Sequence, residues 1–252
     1  MKKDTSWQSQ ADWYDTLLKD PEGTYQNEVI LPNLLRLAKI KKGETILDLA
    51  SGQGFFSRAF NTAGAKVIGV DLSEKLADLA RKNSPKSIEY HVASADRLDF
   101  IKDHSIDLVV IVLAIQNIEN ISAVFKECRR ALKASGKLMM VLNHPAFRIP
   151  KQSDWLWDNK KKIQARRVDQ YLTEAKIKIK THPGQKESEY TISFHRPLQL
   201  YFKALNNQGF AVARLEEWIS HKESGKGPKK EAEDRARKEF PMFLFLEAVK
   251  VS

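Results

Sequence analysis

Residues 45–71, TILDLASGQGFFSRAFNTAGAKVIGVD, constrain this chain more than any other stretch. An apolar run, Ile46-Leu47-Asp48-Leu49, ends in small residues and glycines. A helix-length segment follows, and a second apolar run, Val67-Ile68-Gly69-Val70, closes on Asp71. That order reads as strand, tight turn, helix and strand, a βαβ unit whose turn is aimed at a ligand. Gly52 and Gly54 carry no Cβ, so the backbone is expected to come close to a bound molecule there. Asp71 stands 19 positions after Gly52, where the second strand of such a unit delivers a carboxylate to ribose hydroxyls. The unit is expected to hold a nucleoside.

A dinucleotide turn wants glycine at its first, third and sixth positions. Counted from Gly52 the sixth is Ser57, so that pattern fails. In its place stands Asp48-x-Ala50-x-Gly52-x-Gly54, with an acid leading the turn. A carboxylate there can orient a cationic amino-acid end and would repel a pyrophosphate. In these residues the chain resembles the class I S-adenosylmethionine-dependent methyltransferases, whose first motif is an acid followed by alternating small residues. Ala50 stands where that family usually has its first glycine, and a small residue fits if its φ stays negative. The resemblance implies S-adenosyl-L-methionine as cofactor, contacted by Asp48, Ala50, Ser51, Gly52 and Gly54 and by Asp71 and Leu72 after the second strand. The competing reading is a glycine turn that merely joins strand to helix.

At 252 residues, one large α/β domain with a substantial core is the default. Hydrophobic residues make up 42%, and no apolar run approaches membrane-spanning length, so no membrane partner is expected. The start, MKKDTSWQSQADWYD, has two lysines but no apolar core behind them, unlike a signal peptide. The single cysteine, Cys128, cannot form an internal disulfide, which points to a reducing cytoplasm. A net charge of +10 favours anionic partners, RNA, phosphorylated metabolites and membrane headgroups among them, without choosing between them. The densest basic runs are Lys160–Arg167 and Lys222–Lys238, and acids interleaved in the second make it read as a solvated, salt-bridged surface. Six histidines and one cysteine never cluster at metal-ligand spacing. The serines lack a nucleophile-elbow context, and no triphosphate-binding loop is present.

Helical spacing is visible over residues 5–19 and 26–40, with a break at Pro21-Glu22-Gly23. Ser73 reads as the N-cap of a helix reaching Asn83, followed by a strand over 87–93. Ile106–Leu113 is a near-continuous apolar run, as a central parallel strand needs. A helix over 120–133, ended by Ser135-Gly136, leads to a fifth strand at Lys137–Leu142. Five strands alternating with helices predict a doubly wound α/β sheet. The resemblance implies a Rossmann-like sheet of seven strands, the sixth (209–215) and seventh (243–250) forming an antiparallel edge hairpin. It further implies N-terminal lid helices whose Tyr14 and Tyr25 cover the cofactor. Adenine contacts would come from Ser94, Ala95 and Asp96, and Leu113, Gln116 and Asn117 would face the cofactor or the substrate. The expected layout is a single domain: lid helices at 1–42, cofactor core at 43–142, a substrate-covering insertion at 143–196, and a C-terminal helix with the last two strands at 197–252.

The insertion opens Asn143-His144-Pro145-Ala146-Phe147-Arg148, passes Trp155 and Trp157, and enters the basic run at 160–167. Alternating segments at 176–180 and 190–194, with His182-Pro183-Gly184 between, predict one β-hairpin or a pair of edge strands. Small-molecule methyltransferases are similar here, which implies an acceptor site lined by Asn143, His144, Phe147, Arg148, His195 and Arg196. Should the nucleophile need a base, His144 is the first candidate and His195 the second; a loop histidine bonding its own backbone is the bland reading of each. The expected activity is methyl transfer, by in-line displacement, to O, N or C of a small or medium-sized acceptor. The alternatives are an RNA or ribosomal acceptor, suggested by the charge and by residues 155–167, and a non-catalytic binding module on the same fold. Gln116-Asn117-Ile118-Glu119 is not the Asn/Asp-Pro-Pro-aromatic motif of enzymes that methylate base amines, which weakens the RNA alternative. Neither the acceptor nor an oligomeric state is written in these residues.

Overall fold

The structure, a computed structural model, describes residues 7–19, 22–180 and 190–251. Pro21 and the His182-Pro183-Gly184 turn lie outside the described residues. Two helices, α1 (Ala11–Lys19) and α2 (Leu31–Ala38), precede the first strand. Then β1 (Thr45–Leu49), α3 (Phe55–Thr62), β2 (Lys66–Asp71), α4 (Glu74–Asn83), β3 (Glu89–Val92), β4 (Ile106–Val112), α5 (Ile121–Ala131) and β5 (Leu132–Asn143) follow in turn. The sheet runs β3-β2-β1-β4-β5, all parallel, so the carboxyl ends of these strands share one edge.

Parallel strands sealed on both faces need apolar residues at successive positions, and β1 and β4 supply them. Leu47, Leu49, Val109 and Ile111 point to one face, where Val124, Phe125 and Cys128 of α5 cover them. Ile46, Val67 and Val110 point to the other, under Leu34 and Leu37 of α2 and Phe56 and Phe60 of α3. Ser73 caps α4 by accepting the Leu76 N–H (3.2 Å), as its position implies, and Asn120 caps α5 through the Ala123 N–H (3.1 Å).

After β5 the chain forms two hairpins where the sequence predicted one. The expected pair is β8 (Ala175–Lys180) with β9 (Tyr190–His195). The unforeseen pair is β6 (Ser153–Asp158) with β7 (Ile163–Val168), built from the tryptophan patch and the basic run. Its turn closes because the Asp158 carboxylate accepts the N–H groups of Lys160 and Lys161, both at 2.9 Å. Then α6 (Leu198–Asn207), β10 (Phe210–Trp218), α7 (Lys230–Glu239) and β11 (Phe243–Lys250) complete the fold. β11 lies antiparallel between β5 and β10 and finishes the seven-stranded sheet. The last two strands pair as expected, but α7 and its flanking loops join them in place of a tight turn.

Two boundaries move. β5 begins directly at the end of α5, and Gly136 lies inside the strand, where the register against β4 shifts between Ile106 and Leu108. The insertion docks on the carboxyl edge of the sheet, with α7 lying on β7 and β9 on the single helical turn Ile115–Asn117 that follows β4. Among the described residues no helix is long and apolar enough to cross a membrane.

Candidate functional site

The chain leaves β1 at Leu49 and reverses through residues 50–54. The Ser51 N–H donates to Val70 O (2.9 Å) and the Gly54 N–H to Ser51 O (3.0 Å), which ties the turn to β2. Ala50, Gly52 and Gly54 all take positive φ, at 61°, 57° and 85°. The expectation that Ala50 keeps a negative φ is therefore overturned: the turn needs a left-handed residue there, and alanine pays its steric penalty of about 1 kcal/mol. Ala50→Gly is expected to leave cofactor affinity within twofold and to change stability by no more than about 1 kcal/mol, in the favourable direction, measured by denaturant melts. Both glycines also have side chains of the protein close by. A Cβ on Gly54 would lie 2.4 Å from the Tyr90 hydroxyl, behind the turn. One on Gly52 would reach Cε1 of Tyr14 at 3.2 Å, so Tyr14 lies over the turn.

Two carboxylates meet at this turn. Asp48, 1% exposed, accepts the Ser57 hydroxyl at 2.5 Å. Ser57 occupies the position where a dinucleotide turn would need glycine, and here it holds the leading acid. Burial pushes the Asp48 carboxyl up to about 7; the Asp71 charge adds to this and the Ser57 hydrogen bond opposes it. Asp71 accepts the Gly52 N–H on one oxygen and the Ser73 N–H on the other, both at 2.8 Å, and burial raises it too. Among the described residues neither acid has an ion-pair partner within 4.0 Å. The Tyr14 phenol, raised to about 12 chiefly by burial, feels both charges. Gln53 turns back to Arg58 (2.7 Å) and Phe55 lies edge-on against Phe56, so neither side chain fills the turn.

Around the turn, Leu72 is 46% exposed directly after Asp71. Ser94 donates its hydroxyl hydrogen to Asp96 (2.5 Å), which leaves the Ser94 oxygen free to accept. Ala95 packs partly on the core. Ser94 borders a cleft of about 350 Å³ together with Val92 and a stacked His91–Phe100 pair. At the end of β4, Leu113 takes φ of 52°, strained for a branched residue, and its carbonyl accepts from the Gln116 amide (2.8 Å). The buried Gln116 Oε1 has no hydrogen-bond partner among the described residues, and the Asn117 N–H closes the same turn through Ala114 O (2.8 Å).

The two candidate bases differ. His144 is buried, its Nδ1 accepts the N–H groups of Ala146 (3.2 Å) and Phe147 (3.4 Å), and its Nε2 donates to Glu217 (2.7 Å). Both ring nitrogens are engaged within the protein, so the first-ranked base is corrected to a loop-organising residue that also stacks on Phe147 (4.7 Å). His195, at the end of the strand β9 that packs on the Ile115–Asn117 turn, donates from Nε2 to Tyr171 O (2.7 Å), which leaves Nδ1 as the lone-pair nitrogen of the neutral ring. Arg196 is anchored by Ile118 O (2.9 Å) and Glu119 O (2.6 Å), and its buried Nη1 has no hydrogen-bond partner among the described residues. Asn143 accepts from Arg148 (2.9 Å). Tyr25 is a second correction. It lies edge-on to Phe243 (5.6 Å), bonds Ser220 (3.2 Å) and lines a cleft of about 280 Å³ with Phe147 and Arg148, at the insertion and not at the cofactor turn.

A methyltransferase-domain family model matches residues 47–140, the stretch from β1 through β5 that carries this turn. A solved S-adenosylmethionine-dependent methyltransferase from Mesorhizobium loti has a TM-score of 0.69 and 29% identity over 88% of this chain and 98% of its own. The fold is that of the class I S-adenosylmethionine-dependent methyltransferases, and residues 47–140 carry their methyltransferase domain. This methyltransferase is also 28% identical over 201 residues to an uncharacterized protein of Haemophilus influenzae, covering 76% of this chain and 77% of that one. It is 31% identical over 128 residues to the ubiquinone biosynthesis O-methyltransferase of Idiomarina loihiensis, 47% of this chain and 52% of the relative, so it spans about half of that protein's length. Sequence reasoning did not single out Ser57, which bonds Asp48, or Arg166, Arg237 and Phe240, which line the cleft with Tyr25, Phe147 and Arg148. Ser57 was detectable as a hydroxyl one turn into α3; the other three come together only through the fold.

Proposed function

We propose that this methyltransferase moves the methyl group of S-adenosyl-L-methionine to an oxygen, nitrogen or carbon of a small or medium-sized acceptor. One observation carries the reading: two buried carboxylates, Asp48 and Asp71, flank the turn, and among the described residues no cation pairs with either. A cationic nucleoside fits that arrangement. Asp48 would hold its charged amino-acid end, Asp71 its sugar, Leu72 and the Ser94-Ala95-Asp96 segment its base, and Tyr14 would shut the turn from water. Bound there, the cofactor supplies an electrophilic carbon: the acceptor's lone pair forms the new bond while the carbon–sulfur pair returns to sulfur. The protein's own task is alignment and exclusion of water. For a hydroxyl or protonated amine the proton would go to His195 Nδ1; a His195→Gln variant retaining full turnover on a hydroxyl acceptor would remove it from that role.

A pH dependence follows with a definite sign. Free Asp48 keeps its proton to about pH 7, and a cationic ligand favours the carboxylate, so binding below that pH releases a proton. Cofactor affinity is expected to rise about tenfold between pH 6 and pH 8, and Asp48→Asn should flatten the curve. Calorimetry in buffers of different ionisation enthalpy reads both. In the free protein the same group acts oppositely: its contribution to stability falls as pH rises from the ordinary carboxylate range to about 7, because the unfolded chain gives up the proton first.

Titration of the full chain with S-adenosyl-L-methionine and S-adenosyl-L-homocysteine tests the reading; no binding at high micromolar concentration ends it. We read the chain as a single catalytic unit, in which residues 43–142 bind the cofactor and residues 143–196 cover the acceptor. The buried, unpaired Cys128 supports a cytoplasmic setting. The basic runs give little support to an RNA acceptor: Arg167 pairs with Asp169, and Lys230 with Glu223 and Asp234.

A further inference from the structure

We propose that the acceptor carries an anionic group, a carboxylate or a phosphate ester, on a flat apolar body, and that Arg148, Arg166 and Arg237 receive that group in the cleft between the β6–β7 hairpin and α7. The proposal rests on the methyl-transfer reading and names the substrate class of that same enzyme. The cleft, about 280 Å³, has the scale of a metabolite site and is small for a polymer. Its walls are aromatic: Phe147 and Trp155 each meet Phe240 edge-on, at 5.5 and 5.6 Å, and Tyr25 closes the far side. Such walls take a planar apolar body.

Three guanidiniums line that small volume. Arg148 is held by Asn143 Oδ1 (2.9 Å) and lies over the Phe243 ring (5.7 Å). Arg166 is held by Phe147 O (2.7 Å) and Ser153 Oγ (2.9 Å) and lies over Trp155 (5.0 Å). Arg237 reaches in from α7, its Nε bonded to Ser224 Oγ at 3.3 Å. Among the described residues no carboxylate pairs with any of the three, whereas Arg36, Arg81, Arg97, Arg130, Arg167 and Arg214 each have an acid partner. The contrast is sharpest at adjacent positions of β7, where Arg167 faces out to Asp169 and Arg166 turns in. Burial depresses the Arg148 guanidinium, and the like charge of Arg166 depresses it further. Three cations held by neutral acceptors, with only the more distant Asp154 charge acting on Arg166, are arranged in an aromatic cleft to receive an anion, since guanidinium binds carboxylate and phosphate bidentately.

The location suits an acceptor. Phe147 and Arg148 follow the carboxyl end of β5, two strands from the turn after β1, and strands about 4.8 Å apart put the two sites roughly 10 Å from each other on one edge. An anion held in the cleft would anchor the far end of a molecule whose nucleophile points toward β4.

Calorimetry on the full chain saturated with S-adenosyl-L-homocysteine tests this, with benzoate, phenyl phosphate and neutral benzamide as probes. Benzoate or phenyl phosphate is expected to bind at least tenfold tighter than benzamide, and the tighter of the two identifies the anion. Arg148→Met and Arg166→Met should each weaken that probe at least tenfold, with homocysteine-cofactor affinity and Tm unchanged, while the exposed control Arg214→Met weakens nothing. Equal binding of all three probes overturns the proposal, and so does undiminished anion binding in both arginine variants. Should those variants misfold, Arg237→Met on the outer helix and the wild-type anion-to-amide ratio still decide it. S-adenosyl-L-homocysteine binding without anion preference sinks the acceptor proposal alone; anion preference without S-adenosyl-L-homocysteine binding sinks the methyl-transfer reading and with it the assignment of the bound anion to a methyl acceptor.

Discussion

Asp71→Ala is expected to weaken S-adenosyl-L-methionine about 100-fold and to lower the melting temperature by roughly 5–10 °C. The two effects have separate causes. Each Asp71 oxygen already accepts one backbone N–H, from Gly52 and from Ser73, and a carboxylate keeps further lone pairs for the hydroxyls of a sugar. Alanine removes the acceptors of two buried N–H groups, at about 1–3 kcal/mol each when unsatisfied, and with them the anchor that keeps the turn against β2. It also removes charge-assisted bonds to the ligand, worth about 1.5–3 kcal/mol apiece. Asp71→Asn separates the two: it keeps an oxygen for one N–H and most of the shape, so most of the melting temperature should return while affinity stays low. Calorimetry and thermal melts on the same samples read this. An Asp71→Ala protein that binds the cofactor like wild type would remove Asp71 from the site.

Gly54→Ala should cost about 2–4 kcal/mol of stability. A residue with φ of 85° is outside the region that a side chain tolerates, and the new Cβ would lie 2.4 Å from the Tyr90 hydroxyl and 3.2 Å from the Ala80 Cβ. Neither neighbour moves freely, because Tyr90 is buried and its hydroxyl bonds Ser84 (3.0 Å). Tyr90→Phe in the same chain removes the nearest atom and should recover about 1 kcal/mol; the rest persists, because the ring carbon at 3.1 Å and the backbone strain remain. Denaturant melts of the double-mutant cycle give the coupling. Simple additivity would show that Tyr90 is not what the glycine accommodates.

The two halves of the site were unequally legible. Asp48, Gly52, Gly54 and Asp71 belong to one βαβ unit, in which strand, turn and strand follow within 27 residues and each role has a fixed offset. Even there one conformational detail was misread, because the sign of φ at Ala50 depends on how the turn is tied to Val70. The histidines were harder. His144 and His195 look equivalent as loop-edge residues, and only their partners, Glu217 and backbone N–H groups for one and a carbonyl for the other, separate a structural imidazole from one with a lone pair to offer. The β6–β7 hairpin escaped because its second strand, Ile163–Val168, sets Gln164, Arg166 and Arg167 among its apolar residues, so no apolar–polar alternation marks it.

By itself the amino-acid order determined the parallel core and the cofactor turn, since both rest on short-range periodicity and on residues whose backbone preferences act locally. The cleft proposed for the acceptor was decided by tertiary structure alone. Tyr25, Arg148, Arg166 and Phe240 come from segments scattered over more than 200 residues, and they converge because β11 inserts beside β5 and α7 lies on β7. Long-range strand pairing sets that convergence, and no spacing along the chain encodes it.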